Sequence, residues 1–397
     1  MPTGTLLRMI DRGRIEGLVA DVLADVIEVR RQVHRHPELS GEEYRTTELV
    51  VSGLRDQGAF PRVRTPKTGL WVDFGNPGPM VAFRADLDAL PIHEPAGLLY
   101  ASEVPGVMHA CGHDAHTAIG YGVALVMSRL ESELPGRVRV MFQPAEETFP
   151  GGAYDLVREG IMEGVDSIIA FHVDPGLDSG KVGFKRGAIT SSADRFFITL
   201  EGPGGHTARP HQTVDLVYAT GQLITQIPAL LDRLLDARAP VALVFGRVQA
   251  GTADNVIPTH GELSGTLRTA DRAVWEEAPA ILEQLARDIV APLGAKVTFH
   301  YQRGIPPVVN DAGVVQTLER AAARVLSDDA IEGTFVSMGA EDFARYLDEA
   351  PGALMRLGCR EDGSKVDLHS ASFRLDESCL EVGVRVAVAG LLDMLDA

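Results

Sequence analysis

The sequence contains few cysteines and no long apolar run near its N-terminus. Among its 397 residues only three are cysteines, Cys111, Cys359 and Cys379, an odd number spread far apart. Such a set does not form a disulfide framework, so we predict a reducing compartment and a cytoplasmic protein. Charged residues interrupt the apolar positions of Met1–Glu38, so we expect neither a signal peptide nor a membrane-spanning helix there.

Basic residues are also scarce. The 37 lysines and arginines are outnumbered by 55 aspartates and glutamates, and the formal net charge is −18 at pH 7. Nucleic acids and anionic membrane surfaces select for basic patches, so we expect neither of them as a partner. The hydrophobic fraction of 45% is ordinary for a globular protein, and a chain of this length has enough apolar residues for two or three domains.

Three segments are instead rich in side chains that bind metal ions. They are Arg84–Pro91, with two aspartates, Cys111–His116, with a cysteine and two histidines, and the doublet Glu146-Glu147. Thiolate, imidazole and carboxylate together suit zinc or another divalent transition ion better than magnesium or calcium. Taken singly, a cysteine is most often a small buried residue, and an Asp-x-Asp pair can be only a turn. Together the three segments favour a metal-dependent hydrolase.

The first part of the chain alternates short strand-like and helical patterns, which predicts an α/β domain with a mostly parallel sheet. Buried strands are predicted at Met80–Ala85, Arg137–Gln143 and Asp166–Phe171, and a helix at Ala115–Leu134. Asp86 and Asp88 follow the first strand, Glu146 and Glu147 follow the second, His172 ends the third, and Cys111 and His113 precede the helix. Because the carboxyl ends of parallel strands share one edge of a sheet, we expect these side chains to converge there.

The middle of the chain follows a different order. Strand, helix, strand, strand, helix and strand patterns occur in turn at Asp194–Glu201, Val214–Asp236, Val241–Ala250, Glu262–Arg268, Ala273–Leu293 and Ala295–Tyr301. This βαββαβ order is typical of a ferredoxin-like domain. We therefore predict an inserted domain at 188–301 and a discontinuous domain formed by 1–187 and 302–397. Beyond the insertion we expect helices at Ala312–Leu326 and Ser378–Leu395, joined by loops.

Eight short motifs carry a resemblance to a known family. In chain order they are Arg84–Pro91, Met108–Asp114, Phe142–Glu147, Gly204–His206, Asn255–Pro258, Gly265–Arg268, Glu341–Phe343 and His369–Ser370. Their residues and order resemble the amidohydrolase branch of the aminoacylase and carboxypeptidase superfamily, which contains hippurate hydrolases and hydrolases of indoleacetic acid conjugates. The resemblance extends from the region of Arg30 to near the C-terminus.

This resemblance implies a zinc-peptidase-like catalytic domain with a mostly parallel mixed sheet, a lid that also forms a homodimer, and a site for two divalent ions. In the family pattern the ligands would be Cys111, His113, Glu147, His172 and His369, with Glu146 as the catalytic base. Two cations about 3.5–4 Å apart can activate a water molecule while a carboxylate takes its proton. Zinc, manganese, cobalt and nickel all stay open as the metal.

Other positions have roles by the same resemblance. Asp88 would orient a ligand imidazole. Asp86 stands where the wider superfamily has a ligand histidine, so its own role is open. A ligand would thus have moved from the Asp86 position to Cys111, whose thiolate is a better bridge between two ions than an imidazole. His206 would reach the site of the neighbouring subunit and hydrogen-bond an oxyanion there.

Asn255 and Arg268 would hold the substrate's carboxylate, with Gly339 giving close access to the backbone. A salt bridge on an exposed strand is the alternative for Arg268. The expected reaction is hydrolysis of an N-acyl amino acid, a small-molecule substrate, to a carboxylic acid and an amino acid. Two alternatives stay open: an exopeptidase or N-acyl-diaminopimelate deacetylase on the same scaffold, and an inactive metal-binding homologue. The intact Glu146 and the complete ligand set argue against the last.

Overall fold

The computed structural model describes residues 10–64, 67–361 and 363–396. The prediction for Met1–Glu38 therefore lies partly outside the described residues. The α-helices of the described residues are α1 (Arg12–Ala20), α2 (Leu23–Arg35), α3 (Tyr44–Asp56), α4 (His113–Leu130), α5 (Gly152–Arg158), α6 (Leu216–Leu234), α7 (Arg272–Val290), α8 (Ala312–Val325) and α9 (Ser378–Leu395). Across the described ranges, no helix is both long and apolar enough to span a membrane.

The β-strands alternate with these helices in the first part of the chain and dominate its middle. They are β1 (Arg62–Val63), β2 (Leu70–Gly75), β3 (Met80–Asp86), β4 (Arg137–Gln143), β5 (Ser167–Asp178), β6 (Val182–Phe184), β7 (Gly187–Ala188), β8 (Ala193–Glu201), β9 (Gly205–His206), β10 (Val241–Ala250), β11 (Val256–Ile257), β12 (His260–Thr269), β13 (Lys296–Ile305), β14 (Val309–Asn310), β15 (Ile331–Gly333) and β16 (Gly352–Arg360). The predicted strand Arg137–Gln143 and the predicted helix Ser378–Leu395 have these same bounds in the structure.

The described residues form two compact units. The first contains those of Met1–Gly187, Val309–Phe335 and Asp342–Ala397, and the second contains Ala188–Val308 and Val336–Glu341. The second unit extends beyond residue 301, where we placed the end of the insertion, because β13 stays paired with β8 as far as Ile305. The short segment Val336–Glu341 joins the second unit through tertiary contacts, such as the hydrogen bond that the Ser191 main-chain nitrogen donates to the Gly339 oxygen.

The first unit is built on an eight-stranded sheet in the order β1-β2-β4-β3-β5-β16-β6-β15. Its four central strands, β4, β3, β5 and β16, pair in parallel, and antiparallel pairs occur at β1–β2, β2–β4 and β16–β6. Every residue of β3 is buried, as expected for a parallel strand whose two faces are both covered. The α/β class with a mostly parallel mixed sheet is therefore as predicted.

Helix α4 crosses the centre of this unit, and 16 of its 18 residues are buried, so the rest of the unit encloses it on almost every side. It begins at His113, two residues before the predicted start, which brings His113 into its first turn. Helix α9 packs closely on α4: a Cβ atom at Gly383 would lie 2.5 Å from the Ile119 side chain. Glycine at this position therefore permits the close helix contact.

Strand β16 was not predicted, although it belongs to the parallel centre of the sheet. Its residues are buried up to Cys359, and it pairs with β5 from Gly352 opposite Ile168 to Leu357 opposite Val173 and beyond. Arg356 interrupts its apolar run, and a short run of this kind does not distinguish a buried strand from a loop by periodicity. Long-range pairing decides the structure here.

The second unit has a four-stranded antiparallel sheet in the order β10-β12-β8-β13, packed against α6 and α7. The chain order strand, helix, strand, strand, helix, strand with this spatial order is the ferredoxin-like arrangement. Phe196, Ile198 and Leu200 of β8 point into the core and alternate with less buried residues. Strand β10 lies at the edge of this sheet, with the side chains of Val244 and Val248 exposed.

Candidate metal centre

Three parallel strands of the first unit bring candidate ligands to one edge of its sheet. Asp86 ends β3, and Glu146 and Glu147 follow β4 by a few residues. His172 lies within β5, which continues to Asp178 and is therefore longer than the predicted strand that His172 was expected to end. Because β3, β4 and β5 run in the same direction, these side chains share the carboxyl edge of the sheet.

The segment Cys111–Gly112–His113 delivers two more candidate ligands at the start of α4. Gly112 has a φ of 82°, and a Cβ atom there would lie 2.4 Å from the Val173 side chain. Only glycine fits this left-handed and crowded position. The sharp turn at Gly112 places the thiol of Cys111 just before the helix and the imidazole of His113 in its first turn.

Among the described residues, two other than glycine have left-handed backbone conformations, and both lie at this edge. Ala145, which precedes Glu146, has a φ of 58°, and His369 has a φ of 59°. Such conformations are unfavourable for residues with a Cβ atom and persist only where the surrounding structure holds them. Their location beside the candidate ligands is typical of a functional site.

Cys111 lies at the centre of the cluster. Its Sγ is 3.5 Å from Nε2 of His172 and 3.3 Å from Nε2 of His369. Two sets of three possible ligands share this thiol: one adds His113 and His172, and the other adds Glu147 and His369, with all ligand atoms of each set within 4.8 Å of one another. Ligand atoms around a tetrahedral ion lie about 3.3–3.8 Å apart, given metal–ligand bonds of about 2.0–2.3 Å.

The imidazoles of two candidate ligands are oriented by the main chain. His113 donates from Nδ1 to the Asp88 carbonyl oxygen at 2.9 Å, and His172 donates from Nδ1 to the Val173 carbonyl oxygen at 2.7 Å. Their Nε2 atoms then carry the lone pairs that bind metals. Among the described residues, Nε2 of His113 is buried without a hydrogen-bond partner, which is costly unless a cation lies beside it. The donor set therefore fits divalent metal ions.

Asp88 organises this edge through both its main chain and its side chain. Its Oδ1 lies 3.3 Å from Nδ1 of His113, so the carboxylate supports the orientation of that ring. Its Oδ2 accepts hydrogen bonds from the Ser40 hydroxyl at 2.6 Å and from the Glu147 main-chain nitrogen at 2.9 Å. Asp88 thus links the ring of His113 to the backbone of Glu147.

The two glutamates approach His113 equally but differ in their other contacts. Oε2 of Glu146 and Oε1 of Glu147 each lie 4.0 Å from Nε2 of His113. Oε1 of Glu147 also lies 3.1 Å from Nε2 of His369, which puts it inside a second set of ligands. The adjacent carboxylates therefore occupy different positions around the cluster.

Asp86, whose role the sequence leaves open, is held by two hydrogen bonds. His116 donates from Nδ1 to its Oδ1 at 2.6 Å, and Arg84 donates to its Oδ2 at 2.5 Å. Nε2 of His116 accepts a hydrogen bond from the Val173 main-chain nitrogen at 2.9 Å, so neither ring nitrogen of His116 is available to a metal. Oδ2 of Asp86 is 3.8 Å from Nε2 of His113. Asp86 therefore connects His116 and Arg84 next to the candidate ligands.

A buried network behind Asp86 was missed by sequence reasoning. Arg84 also donates to Oδ1 of Asp342 at 2.9 Å and to Oε1 of Gln143 at 2.8 Å. The Gln143 amide donates to Asp342, and the Tyr346 hydroxyl donates to Gln143. Arg84, Gln143 and Asp342 each belong to a motif of the sequence, but no local pattern indicates that they meet.

The electrostatics of the cluster favour a bound cation. Burial raises the pKa of the Cys111 thiol well above its usual value, so a thiolate there requires a nearby positive charge. Burial also raises the pKa of Asp86, but the interactions with His113, His116 and Arg84 outweigh it and hold that pKa well below its usual range. Burial lowers the pKa of His172 well below its usual value, which leaves a neutral ring that can bind a metal.

The remaining predicted site residues belong to the second unit. His206 and Val256 pair in the small sheet of β9 and β11, and the Thr207 main-chain nitrogen donates to the Asn255 oxygen at 3.3 Å, so His206 and Asn255 are neighbours. Both are exposed. Nδ1 of His206 accepts a hydrogen bond from the Ala208 nitrogen at 3.0 Å, so the neutral ring carries its proton on Nε2.

Arg268 and Gly339 form a second pair of neighbouring residues in this unit. Arg268 donates to the main-chain oxygen of Met338, directly before Gly339, at 3.0 Å. Within the described ranges, Arg268 forms no ion pair. The alternative of a salt bridge on an exposed strand is therefore not observed, and the rest of the guanidinium fork can take a ligand.

Comparison with known proteins places these residues in a family context. Residues 82–393 match the model of the family described as peptidase family M20/M25/M40. A Rhodococcus jostii protein named as a glutamate–cysteine ligase is 46% identical over 366 residues; the match covers 92% of this chain and 46% of that protein, so the chain spans about half of that relative. The N-acyl-L-amino acid amidohydrolase of Geobacillus stearothermophilus is 42% identical over 298 residues, 75% of this chain and 80% of the relative.

A solved structure shows the same similarity in three dimensions. The chain matches a Bacillus subtilis protein, described as a dinuclear metal-binding peptidase from the M20 family, with a TM-score of 0.84 and 34% sequence identity. The match covers 95% of this chain and 99% of the other. The similarity therefore extends over both units.

Proposed function

The chain belongs to peptidase family M20/M25/M40 and is a hydrolase of amide or peptide bonds, and on that premise we propose that it hydrolyses the amide bond of N-acyl amino acids with the help of two divalent metal ions. The observation that carries this proposal is the pair of three-ligand sets that share Cys111. The similarity to an N-acyl-L-amino acid amidohydrolase supports the substrate class.

In this proposal five side chains of the first unit hold the ions: Cys111, His113, Glu147, His172 and His369. Because Cys111 belongs to both sets, its thiolate would help to hold either ion. When bound, the ions supply Lewis acidity, which polarises a carbonyl group and makes water a nucleophile near neutral pH. The mixed sulfur, nitrogen and oxygen donors suit zinc, manganese, cobalt or nickel.

Glu146 is the proposed general base. It is largely buried beside the cluster, and it belongs to neither of the two sets that share Cys111. Its carboxylate can accept a proton from the attacking water and return it to the leaving amine. Asp88, which contacts His113 and Glu147, is the proposed orienting residue.

The exposed residues of the second unit are proposed to act on the substrate. His206 has a free Nε2–H donor for an oxyanion, which follows from the hydrogen bond that its Nδ1 accepts. Asn255, Arg268 and the backbone at Gly339 would hold the carboxylate of the amino acid, because a guanidinium fork matches a carboxylate.

We further propose that the second unit is a lid that forms a homodimer. The edge strand β10 has unpaired main-chain groups and exposed Val244 and Val248 side chains, features that support pairing with a second copy. In such a dimer His206 would serve the site of the partner subunit.

The test is an activity screen of the metal-loaded protein against N-acetyl, N-benzoyl and longer N-acyl amino acids, together with dipeptides and N-acyl-diaminopimelate. We expect hydrolysis of at least one N-acyl amino acid, its loss on chelation, and its return with one of the four metals. Preference for dipeptides or for N-acyl-diaminopimelate would contradict the proposed substrate class. Full activity in protein shown by elemental analysis to be metal-free would contradict the metal site.

A further inference from the structure

A buried polar cluster lies behind the segment that carries Cys111 and His113. Asp114, the residue after His113, is completely buried. Its Oδ2 lies 2.8 Å from Nε of Arg30 and 2.7 Å from Nδ1 of His34, both on α2. These contacts connect the first turn of α4 to α2 through charged groups.

Several polar atoms of this cluster have no hydrogen-bond partner among the described residues. These atoms are the two ring nitrogens of His109, Oδ1 of Asp114 and Nε of Arg30. Nε of Arg30 lies close to Oδ2 of Asp114, but the contact is too poorly aligned for a hydrogen bond. His109 is 1% exposed, and its ring centroid lies 6.4 Å from that of His34. Unpaired buried polar groups are rare in proteins and strongly destabilising, so a group that pairs with them is expected.

A metal ion does not match this cluster. In the described part of the chain, several groups of three side chains are close enough to bind one metal ion. None of these groups contains His34, His109 or Asp114. The cluster offers donors at Arg30 and at one nitrogen of His109, and acceptors at Asp114 and at the other nitrogen of His109. Water both donates and accepts, and buried water molecules form about three hydrogen bonds with groups of this kind.

We propose that at least one ordered water molecule lies between His109, Asp114 and Arg30, and that it makes His109 a positioning residue for the metal ligands. His109 and Asp114 stand on either side of Cys111 and His113 in the chain. The main-chain oxygen of Ala110 also accepts a hydrogen bond from the His369 nitrogen at 2.8 Å, so a shift of this segment would displace three proposed ligands. The positioning role rests on the proposed metal site, whereas the water site does not.

The first experiment is a high-resolution crystal structure of the metal-free and of the metal-loaded protein. We expect a water molecule within hydrogen-bond distance of a ring nitrogen of His109 and of Oδ1 of Asp114 in both. A well-ordered map that has no such water, or that pairs His109 directly with another side chain, would overturn the proposal.

The second experiment compares His109→Leu with His109→Gln, which keeps a polar group near Nε2, and with His300→Leu, the same change at an exposed histidine. Unfolding of the metal-free protein is followed by its Tm, and Co²⁺ binding by the cobalt–thiolate absorption. We expect His109→Leu to lower the Tm by about 3–8 °C and to weaken Co²⁺ binding about 10- to 100-fold, the range for residues that orient metal ligands. His109→Gln should recover most of both losses, and His300→Leu should resemble the wild type.

The possible results separate the water site from the positioning role of His109. An unchanged or raised Tm for His109→Leu would overturn the water site. A lowered Tm with unchanged Co²⁺ affinity would retain the water site and overturn the positioning role. If His109→Leu does not fold, the test is the Co²⁺ affinity of His109→Gln. An affinity within about threefold of the wild type supports the proposal. A loss of about 100-fold overturns the idea that any polar group at this position can hold the water and position the ligands. Failure of the wild type to bind Co²⁺ would contradict the proposed metal site without affecting the Tm and crystallographic tests.

Discussion

The two groups of proposed active-site residues are held in different ways. In the first unit, Cys111 and His113 are buried, and the ring of His113 is fixed by a hydrogen bond to the main chain and by the nearby Asp88 carboxylate. In the second unit, His206 and Asn255 are exposed and lie on or beside two-residue strands. The side chains of the first group are held by contacts within the folded core, and those of the second group are exposed.

This difference shows which measurements report on each group. Changes to the buried ligands Cys111, His113 and His172 should alter metal content and stability as well as rate, because these side chains also fill space in the core. Changes to exposed residues leave folding and metal content intact and become visible only when substrate or a second subunit is present. The following predictions, from the largest expected effect to the smallest, test this contrast.

The largest effect is expected for Cys111→Ala. Loss of a ligand shared by both sets should remove at least one metal ion and lower kcat/KM more than about 100-fold, beyond the range of changes to residues that only orient ligands. Elemental analysis and initial rates measure the two effects. Cys359→Ala and Cys379→Ala are matched controls, because both thiols are buried outside the ligand sets. If all three variants had the same metal content and rate, Cys111 would be a small buried core residue and not a metal ligand.

The substitution Glu146→Gln should lower kcat by about 10²- to 10⁴-fold, because an amide keeps the shape of the side chain but cannot take the proton. Its metal content should stay at the wild-type level. Glu147→Gln is the matched control, and it should lose metal as well as activity. If Glu146→Gln lost metal and Glu147→Gln kept it, the roles of the two glutamates would be exchanged.

His206→Ala should lower kcat by about 10²- to 10³-fold, the effect of removing one oxyanion donor. Its metal content and Tm should not change, because the ring is exposed. Refolding it together with Glu146→Gln should restore about a quarter of the wild-type activity, since half of randomly paired dimers would contain one intact site. If mixed dimers form and activity does not rise above that of either parent, His206 serves its own subunit or only the structure of the second unit.

The smallest effect is expected for Arg268→Ala, which should raise KM about 10- to 100-fold, the equivalent of one hydrogen bond with a charged group. Arg247→Ala is the control, since Arg247 is an exposed arginine of the same unit that pairs with Glu262. An unchanged KM with a lowered Tm would mean that Arg268 only stabilises the structure, through its hydrogen bond to the Met338 carbonyl.

Much of the candidate site could be predicted from residue types at the ends of predicted strands. Cys111 and His172 meet, as expected from the shared carboxyl edge of parallel strands. The length of β5 and the existence of β16 could not be predicted, because short apolar runs have no periodicity that separates strand from loop. His116 was left open by the sequence, and the hydrogen bonds of both its ring nitrogens exclude it as a ligand.

The sequence by itself determined the α/β class, the ferredoxin-like order of the middle segment and the kinds of side chain proposed as metal ligands, because these depend on local periodicity and on side-chain chemistry. Tertiary structure alone decided that Cys111 is shared by two ligand sets, and that Asp86 is held by His116 and Arg84. It also decided that Arg84 meets Asp342, 258 residues away, and that the ring of His109 is buried with no hydrogen-bond partner among the described residues. Such contacts depend on how distant segments pack, and the chain between them carries no local pattern that specifies the pairing.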